Sequence, residues 1–400
     1  MSKNIILYVG GFELPDKNAA AQRCISNAKI LRDIGYEVVL VGVSKQASVE
    51  LPLSKAEHFG FTCWNVPYPG SSKEWLKHII TLNQIDYLIE KQYKNRVFSI
   101  ICYNYPAISQ MRTKIIAKKL GALAIADVTE WYAASGNNLL RKSIKWFDTW
   151  LRMRCVNLSM DGIITTSTYL TEFYRRKNMQ CVELPTLYDK DQLCVNASAV
   201  EPSGGYKLMY AGSPFDVASA AKNRKNVKER LDVLIDMLFN LCSEDFKFSL
   251  NIFGLTRNDY LHVYPEDSVK LERLGENVQF KGRQSHTIII DNIINSDFTI
   301  FFRDINRVTQ AGFPSKFSES ITCGVPVITN LISNIAPYVV DGKNCFLLDF
   351  NKDSRVEKMR EILLSPYENI SEAKRFCFDS RTFDYHTYKS EVINFLRMVG

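Results

Sequence analysis

The residues best placed to do chemistry stand close together between Arg303 and Asn330, in RDINRVTQAGFPSKFSESITCGVPVITN. A Gly-Pro loop (Gly312, Phe313, Pro314) leads into a helix-like segment that starts at Ser315 and stops at Cys323-Gly324. The loop and the helix start offer backbone N–H groups to an anion. Glu319, fixed beside them, is a carboxylate suited to a ribose-like diol. Cations that a diphosphate would need occur at strand ends and helix starts: Lys228, Arg224 or Lys225 beside it, and Arg303 after the apolar run Phe298–Phe302. Each basic residue taken alone reads as solvated surface; it is their joint occurrence at strand ends that points to an anion.

Other strand ends repeat this placement. Gly10-Gly11 follows the run Ile5–Val9, and Gly212-Ser213-Pro214 follows Lys207–Ala211 in the same way. Gly11 is therefore either the edge of a cleft or part of a tight turn and no more. Asp127 and Glu130, in IADVTEWY, come directly after a predicted strand. There a carboxylate can orient sugar hydroxyls or accept a proton, or Asp127 can cap a turn.

The elements that must hold these residues alternate. Ile5–Val9, a helix over Ala19–Ile34 stopped by Gly35, and Val38–Val43 form a βαβ unit, which implies a parallel sheet. Further strands are expected at 98–102, 123–126, 162–166 and 181–184, with helices near 73–93, 107–120 and 139–160. Pro185 opens a stretch rich in Pro, Ser and Gly, so a linker is expected over about 186–205. A second doubly wound unit follows, with strands at 207–211, 248–253, 278–281, 298–302, 325–328 and 345–348. Its helices are expected at 227–242 and 286–295 and near 353–364 and 371–378, before a last one over Tyr385–Met398. In such sheets ligands bind beyond the carboxyl ends of the strands, and two facing units place the ligand in a cleft between them.

Composition narrows the partners. The chain has 400 residues, 46% hydrophobic and 23% charged, which describes a folded soluble chain of two domains. A formal charge of +7 favours anionic partners. No basic block or zinc-finger pattern occurs, so nucleic acid is not expected. No apolar run reaches the roughly 18 residues of a membrane span, and MSKNIILYVGG reads as a first strand rather than a signal peptide. The ten cysteines form no CxxC pair or Cys/His cluster, as free thiols in a reducing cytoplasm would. The sequence contains no GxxxxGK[ST], GxSxG or HExxH. Its five histidines are dispersed, and the one DxD, Asp189-Lys190-Asp191, sits in the expected linker, so no metal is expected. The segment 139–156, LLRKSIKWFDTWLRMRCV, sets five cations against Asp148 among Trp146, Phe147 and Trp150. That pattern suits the headgroup region of an anionic membrane, or an amphipathic helix laid on the sheet with a solvated basic face.

AGFPSKFSESITCGVPVITN resembles the donor-binding segment of GT-B glycosyltransferases of the family 4 type, in which a glycine loop, a Glu-bearing helix and a CGxPVI turn recur. KNIILYVGGF with RDIGYEVVLV is similar to that family's first βαβ, and DGIITTSTYLTEFY to the strand and helix that close its N-terminal domain. LMYAGSP with KERLDVLIDML is similar to its second-domain opening, and FDYHTYKSEVINFL to its returning C-terminal helix. The resemblance implies two Rossmann-like doubly wound parallel-sheet domains facing a cleft: an acceptor-side domain over 1–190, a donor-binding domain over 200–380, and a helix over 381–400 that returns to the first.

It also implies a metal-independent, retaining transferase whose co-substrate is a nucleotide diphosphate sugar, UDP- or GDP-linked, with no further cofactor. Glu319 matches the second Glu of the family's E-x7-E motif, which holds the ribose, and Lys228 the lysine that neutralises the diphosphate. Gly312, Phe313, Pro314 and Ser315 match the loop that reaches sugar and phosphate; Gly212, Ser213 and Arg303 join them on the donor side. Gly11 would approach the donor from the first domain, and Asp127 falls where acceptor-side polar residues lie. The expected acceptor is a glycan or lipid-linked glycan of a cell-surface polysaccharide, reached from the cytoplasm at the inner membrane face. One position departs from the motif: its first Glu is replaced by Ala311. That departure keeps a non-catalytic nucleotide-sugar binder or partner subunit open, and a nucleotide-sugar epimerase of the same fold is a third reading.

Overall fold

The computed structural model describes residues 3–15, 18–44, 47, 53–68, 71, 74–75, 83–131, 139–193, 205–242, 247–332, 334–349 and 354–400. Much of the expected 73–93 helix, and residues 194–204 of the expected linker, lie outside them. The chain divides into two compact units, one of Met1–Asp189, Gln310–Phe313 and Asp384–Gly400, the other of Lys190–Thr309 and Pro314–Phe383.

The first unit is built on an eight-stranded sheet, ordered β3-β4-β2-β1-β5-β6-β7-β8. Its strands are β1 (Ile5–Gly10), β2 (Glu37–Ser44), β3 (Ser54–His58), β4 (Phe61–Pro67), β5 (Val97–Tyr103), β6 (Leu123–Val128), β7 (Gly162–Thr165) and β8 (Cys181–Glu183). All neighbours run parallel except β3, which turns back antiparallel on β4 through Phe59 and Gly60, both at positive φ. That edge hairpin has no counterpart in the sequence expectations, because SKAEH carries no apolar run. β1 is buried at all six positions, as a strand covered by helices on both faces must be. Ile5, Leu7 and Val9 feed the apolar cluster on one face, Ile6 and Tyr8 that on the other. The Ala19–Asp33 helix starts at Asn18, whose side chain accepts from the Ala21 N–H at 2.9 Å. The last helix, Lys389–Val399, lays Val392, Phe395 and Leu396 onto the same face as Tyr8. Phe395 comes so close to β7 that a Cβ on Gly162 would lie 2.6 Å from its ring.

The second unit has six strands, all parallel: β9 (Tyr206–Ala211), β10 (Phe248–Phe253), β11 (Val278–Gly282), β12 (Phe298–Phe301), β13 (Val327–Thr329) and β14 (Cys345–Leu347). Their order, β11-β10-β9-β12-β13-β14, is the doubly wound 3-2-1-4-5-6 arrangement of dinucleotide-binding folds. The order reverses between β9 and β12, so the carboxyl ends of those two strands open the crevice where such sheets take ligands. The helix expected over 227–242 begins only at Leu231 and ends at Leu241. Ahead of it come a short helix, Val217–Lys222, a 3-10 turn, Arg224–Asn226, and an irregular stretch bent at Lys228 and Glu229. A further short helix, Arg307–Ala311, stands where the sequence suggested only loop.

Candidate functional site

The crevice of the second unit is furnished from three directions. β9 brings Tyr210 and then Gly212. Phe302 and Arg303 follow β12, and the Ser315–Thr322 helix brings Lys316 in its first turn. The stretch before the Leu231 helix is tied to both strand ends: the N–H groups of Lys228 and Glu229 donate to the Pro214 carbonyl, and that of Arg230 to the Phe302 carbonyl at 2.8 Å. The chain bends at Lys228 and Glu229, and the two side chains part there. Lys228 is exposed, three residues ahead of the helix it was expected to open, and Glu229 points inward with 2% exposure.

Glu229 is the hub of the site. Its carboxylate accepts from the Tyr210 hydroxyl at 2.6 Å, from Arg303 Nε and Nη2 at 3.1 and 2.7 Å, and from the Lys316 ammonium. Burial pushes this carboxyl up, but the charges of Lys316 and Arg303 outweigh it and hold the group well below the usual carboxylate range. Burial draws the Lys316 ammonium down to about 8, with Glu229 opposing and Arg303 and Lys228 adding to the fall. Two cations around one carboxylate leave the cluster net positive. Lys316 lies over the Tyr210 ring at 4.3 Å and keeps 16% side-chain exposure, so its charge is at the edge of the buried network.

Glycine makes the close approach possible. Gly212 has φ +146, and a Cβ there would stand 2.7 Å from Lys316 Nζ. Arg303 is held from behind by Asn330, which accepts from its N–H and donates to its carbonyl, both at 2.9 Å.

Glu319 lies one turn further along the Lys316 helix, half-buried, with Oε1 2.9 Å from His286 Nε2. His286 is the first residue of the His286–Ile294 helix that follows β11. The Ser315 helix takes no side-chain cap, and Pro314 precedes it.

The structure thus draws Gly212, Arg303 and the Pro314-Ser315 helix start into one neighbourhood. Ser213 is exposed just beyond Gly212. Gly312 and Phe313 are half-buried and count with the first unit. Ala311, at the position of the missing glutamate, is fully buried in that unit's apolar cluster, and its carbonyl accepts from the Ser167 hydroxyl at 2.7 Å. A carboxylate in its place would have to be desolvated among apolar side chains.

Two candidates stand elsewhere in the first unit. Gly11 is exposed beyond β1. Asp127 requires a correction: it is not an open carboxylate at a sheet edge but is wholly buried in β6. It pairs with Arg23 at 2.8 Å and accepts from the Tyr8 hydroxyl at 2.5 Å. Arg23 in turn donates to the Leu184 and Pro185 carbonyls, so the network pins the first helix to the strands it covers.

Sequence reasoning missed Glu229, Lys316, Tyr210 and His286. Lys316 lay inside the singled-out stretch and was passed over. Glu229, in the charged run KNVKER, reads as surface until the backbone is seen to turn it inward.

The switch point of a doubly wound sheet is where proteins of this α/β class take their ligands, and here it is cationic. Family comparison narrows the class. Residues 219–376, less than half of the chain and all within the second unit apart from Gln310–Phe313, match the family model described as glycosyl transferases group 1. The two parallel-sheet units together have the GT-B fold of solved glycosyltransferases. HepE of Anabaena, crystallised with UDP and glucose, is 12% identical with a TM-score of 0.62 over 99% of both chains. The sucrose-phosphate synthase of Thermosynechococcus elongatus is 13% identical with a TM-score of 0.67, over 99% of this chain and 98% of that one. The trehalose 6-phosphate synthase of Burkholderia multivorans is 10% identical with a TM-score of 0.61, over 100% and 99%. Identities this low speak for the fold alone. No curated protein sequence matches the chain significantly.

Proposed function

We propose that the chain transfers a glycosyl group from a nucleoside diphosphate sugar to a hydroxyl of a glycan or lipid-linked glycan. The observation that carries this reading is the net-positive Glu229–Arg303–Lys316 cluster at the switch point of the unit in which the family match falls. The bond from the anomeric carbon to the diphosphate oxygen breaks, and the leaving diphosphate keeps the electron pair. Lys316 and Lys228 supply charge to it, and Arg303 fixes Lys316 through Glu229. Charge placed in advance where charge develops is usually the largest single contribution to such a step. The acceptor oxygen forms the new bond to the same carbon and gives up its proton to an oxygen of the departing diphosphate. Glu319 holds the ribose diol once it exchanges His286 for the ligand.

UDP in HepE makes a uridine donor the first to test. Retention at the anomeric carbon and turnover without metal are parts of the same proposal, as is an acceptor destined for a cell-surface polysaccharide at the inner membrane face. Asp127 has no part in acceptor binding, since Arg23 and Tyr8 already occupy its carboxylate.

The experiment is a panel of UDP- and GDP-sugars, read first by thermal shift and then by release of nucleoside diphosphate with and without acceptor. Glu319→Ala and Lys228→Ala should each remove most of the turnover; full activity in both would refute the assignment. The buried Ala311 favours one other reading, a nucleotide-sugar binder without turnover. It would show thermal stabilisation and no diphosphate release. An epimerase would release diphosphate and free sugar without any acceptor.

A further inference from the structure

The first unit turns apolar side chains outward on two helices that touch. On Leu139–Leu151, Trp146, Phe147 and Trp150 are 58%, 54% and 40% exposed, and the Phe147 and Trp150 rings stack at 6.1 Å. Thr149 and Arg152 turn inward instead. The aromatic face is therefore outside, the reverse of a helix that lays its rings on the sheet and solvates its charges. Lys142, Lys145 and Arg154 are exposed around it. The helix Ala107–Leu120 repeats the pattern: Ile108, Met111 and Ile115, at i, i+3 and i+7, are 37%, 46% and 50% exposed. Lys118 and Lys119 are exposed beside them, Arg112 and Lys114 are half-buried, Lys114 pairs with Asp161 at 2.5 Å, and the helix itself has no acid. Asp148, the one acid of 139–156, is spent on joining the two helices, its Oδ1 accepting from the Ala107 N–H at 2.8 Å.

We infer that these two helices form one docking face for an anionic lipid bilayer. The rings and aliphatic side chains would enter the headgroup boundary while the basic rim meets the lipid phosphates. Contiguous apolar surface of this kind marks an interaction site, and the rim selects the partner. A second copy of this chain would oppose one basic rim with another, which like-charge repulsion disfavours; an anionic bilayer complements it. Among the described residues no helix is long and apolar enough to cross a membrane, so the contact is with a surface. The inference is independent of the donor site and stands or falls by itself.

The test is flotation of the full chain with phosphatidylcholine vesicles, with and without phosphatidylglycerol. Two double variants accompany it, Trp146→Ser with Trp150→Ser and Met111→Ser with Ile115→Ser, each checked for folding by its thermal transition. The wild-type chain should float only with anionic vesicles, be released by salt, and partition about tenfold more weakly in either variant. A charge pair, Lys142→Gln with Lys145→Gln, should weaken binding without touching the apolar face. Failure to float with anionic vesicles overturns the inference, as does equal binding to neutral ones. Unchanged binding in the Met111/Ile115 variant would show that the face is not shared by both helices. A dimer seen by light scattering that either variant dissociates, without vesicle binding, would assign the face to a second copy.

Discussion

Glu229 is a buried carboxylate satisfied by a phenol, a guanidinium and an ammonium, and removing its charge leaves two buried cations without their counterion. Breaking such a network from one side costs about 3–5 kcal/mol. Glu229→Gln should lower the free energy of urea unfolding by that much, and a loss near zero would show that water already screens the cluster. The pH dependence follows from the same group. Its carboxyl is held below its ordinary value of 4.5, so the stabilisation is fully present above that value and is lost as the pH falls below it. Lys316 acts in the opposite range. With its ammonium drawn down to about 8, it loses its proton as the pH rises through that value, and the crevice loses its surplus positive charge. Nucleoside diphosphate binding measured by calorimetry should therefore weaken from pH 7 to 9. In Lys316→Met it should be weaker at both values, by roughly tenfold at pH 7, with the step near pH 8 removed. A step that survives in the variant would assign it to another group.

At the level of elements, position is set by close contacts that admit little change. Phe395 on the last helix is 1% exposed and seats against Gly162 of β7. Phe395→Ala would empty a site lined by strand and helix and should cost about 3–5 kcal/mol, read as a lower denaturation midpoint. A cost under about 1 kcal/mol would mean that the helix collapses onto the space or contributes little to the first unit. The late start of the helix at Leu231 matters in another way. If it began at Val227, the 3.6-residue period would replace the bends at Lys228 and Glu229, which leave one side chain exposed and the other buried. The anchoring of three consecutive N–H groups to Pro214 and Phe302 keeps this stretch out of the helix.

At the level of the whole molecule, the DxD motif gives a clear case of sequence chemistry that the fold has used up. Asp189 pairs with Lys29 at 2.7 Å, and Asp191 with Arg381 at 2.9 Å. Lys190 between them donates to the carbonyls of Phe378 and Ser380. Each acid is neutralised within its own unit rather than aimed with the other at a shared ion. On the proposed reading, charge for the diphosphate comes from Lys228, Lys316 and the helix start. Turnover should survive exhaustive EDTA treatment; loss on chelation with recovery on adding magnesium or manganese would refute metal-independent transfer.

The sequence by itself determined the doubly wound α/β class, most strands of both sheets and the stretch from Arg303 to Asn330. Those features are local: a run of buried apolar residues, a helical period and a glycine stop are written in neighbouring positions. It also placed Gly212, Arg303 and Glu319 in the second half's candidate set, because strand ends and helix starts can be read from the same periodicity. Only the tertiary structure decided which charges meet. Tyr210, Glu229, Arg303 and Lys316 come from four segments, and their pairing depends on strand order and on which way the bent stretch before Leu231 faces. For the same reason Asp127 looked open and proved buried, and the aromatic side of Leu139–Leu151 proved to face outward: sequence spacing gives the sides of an element, and packing alone settles which side is covered.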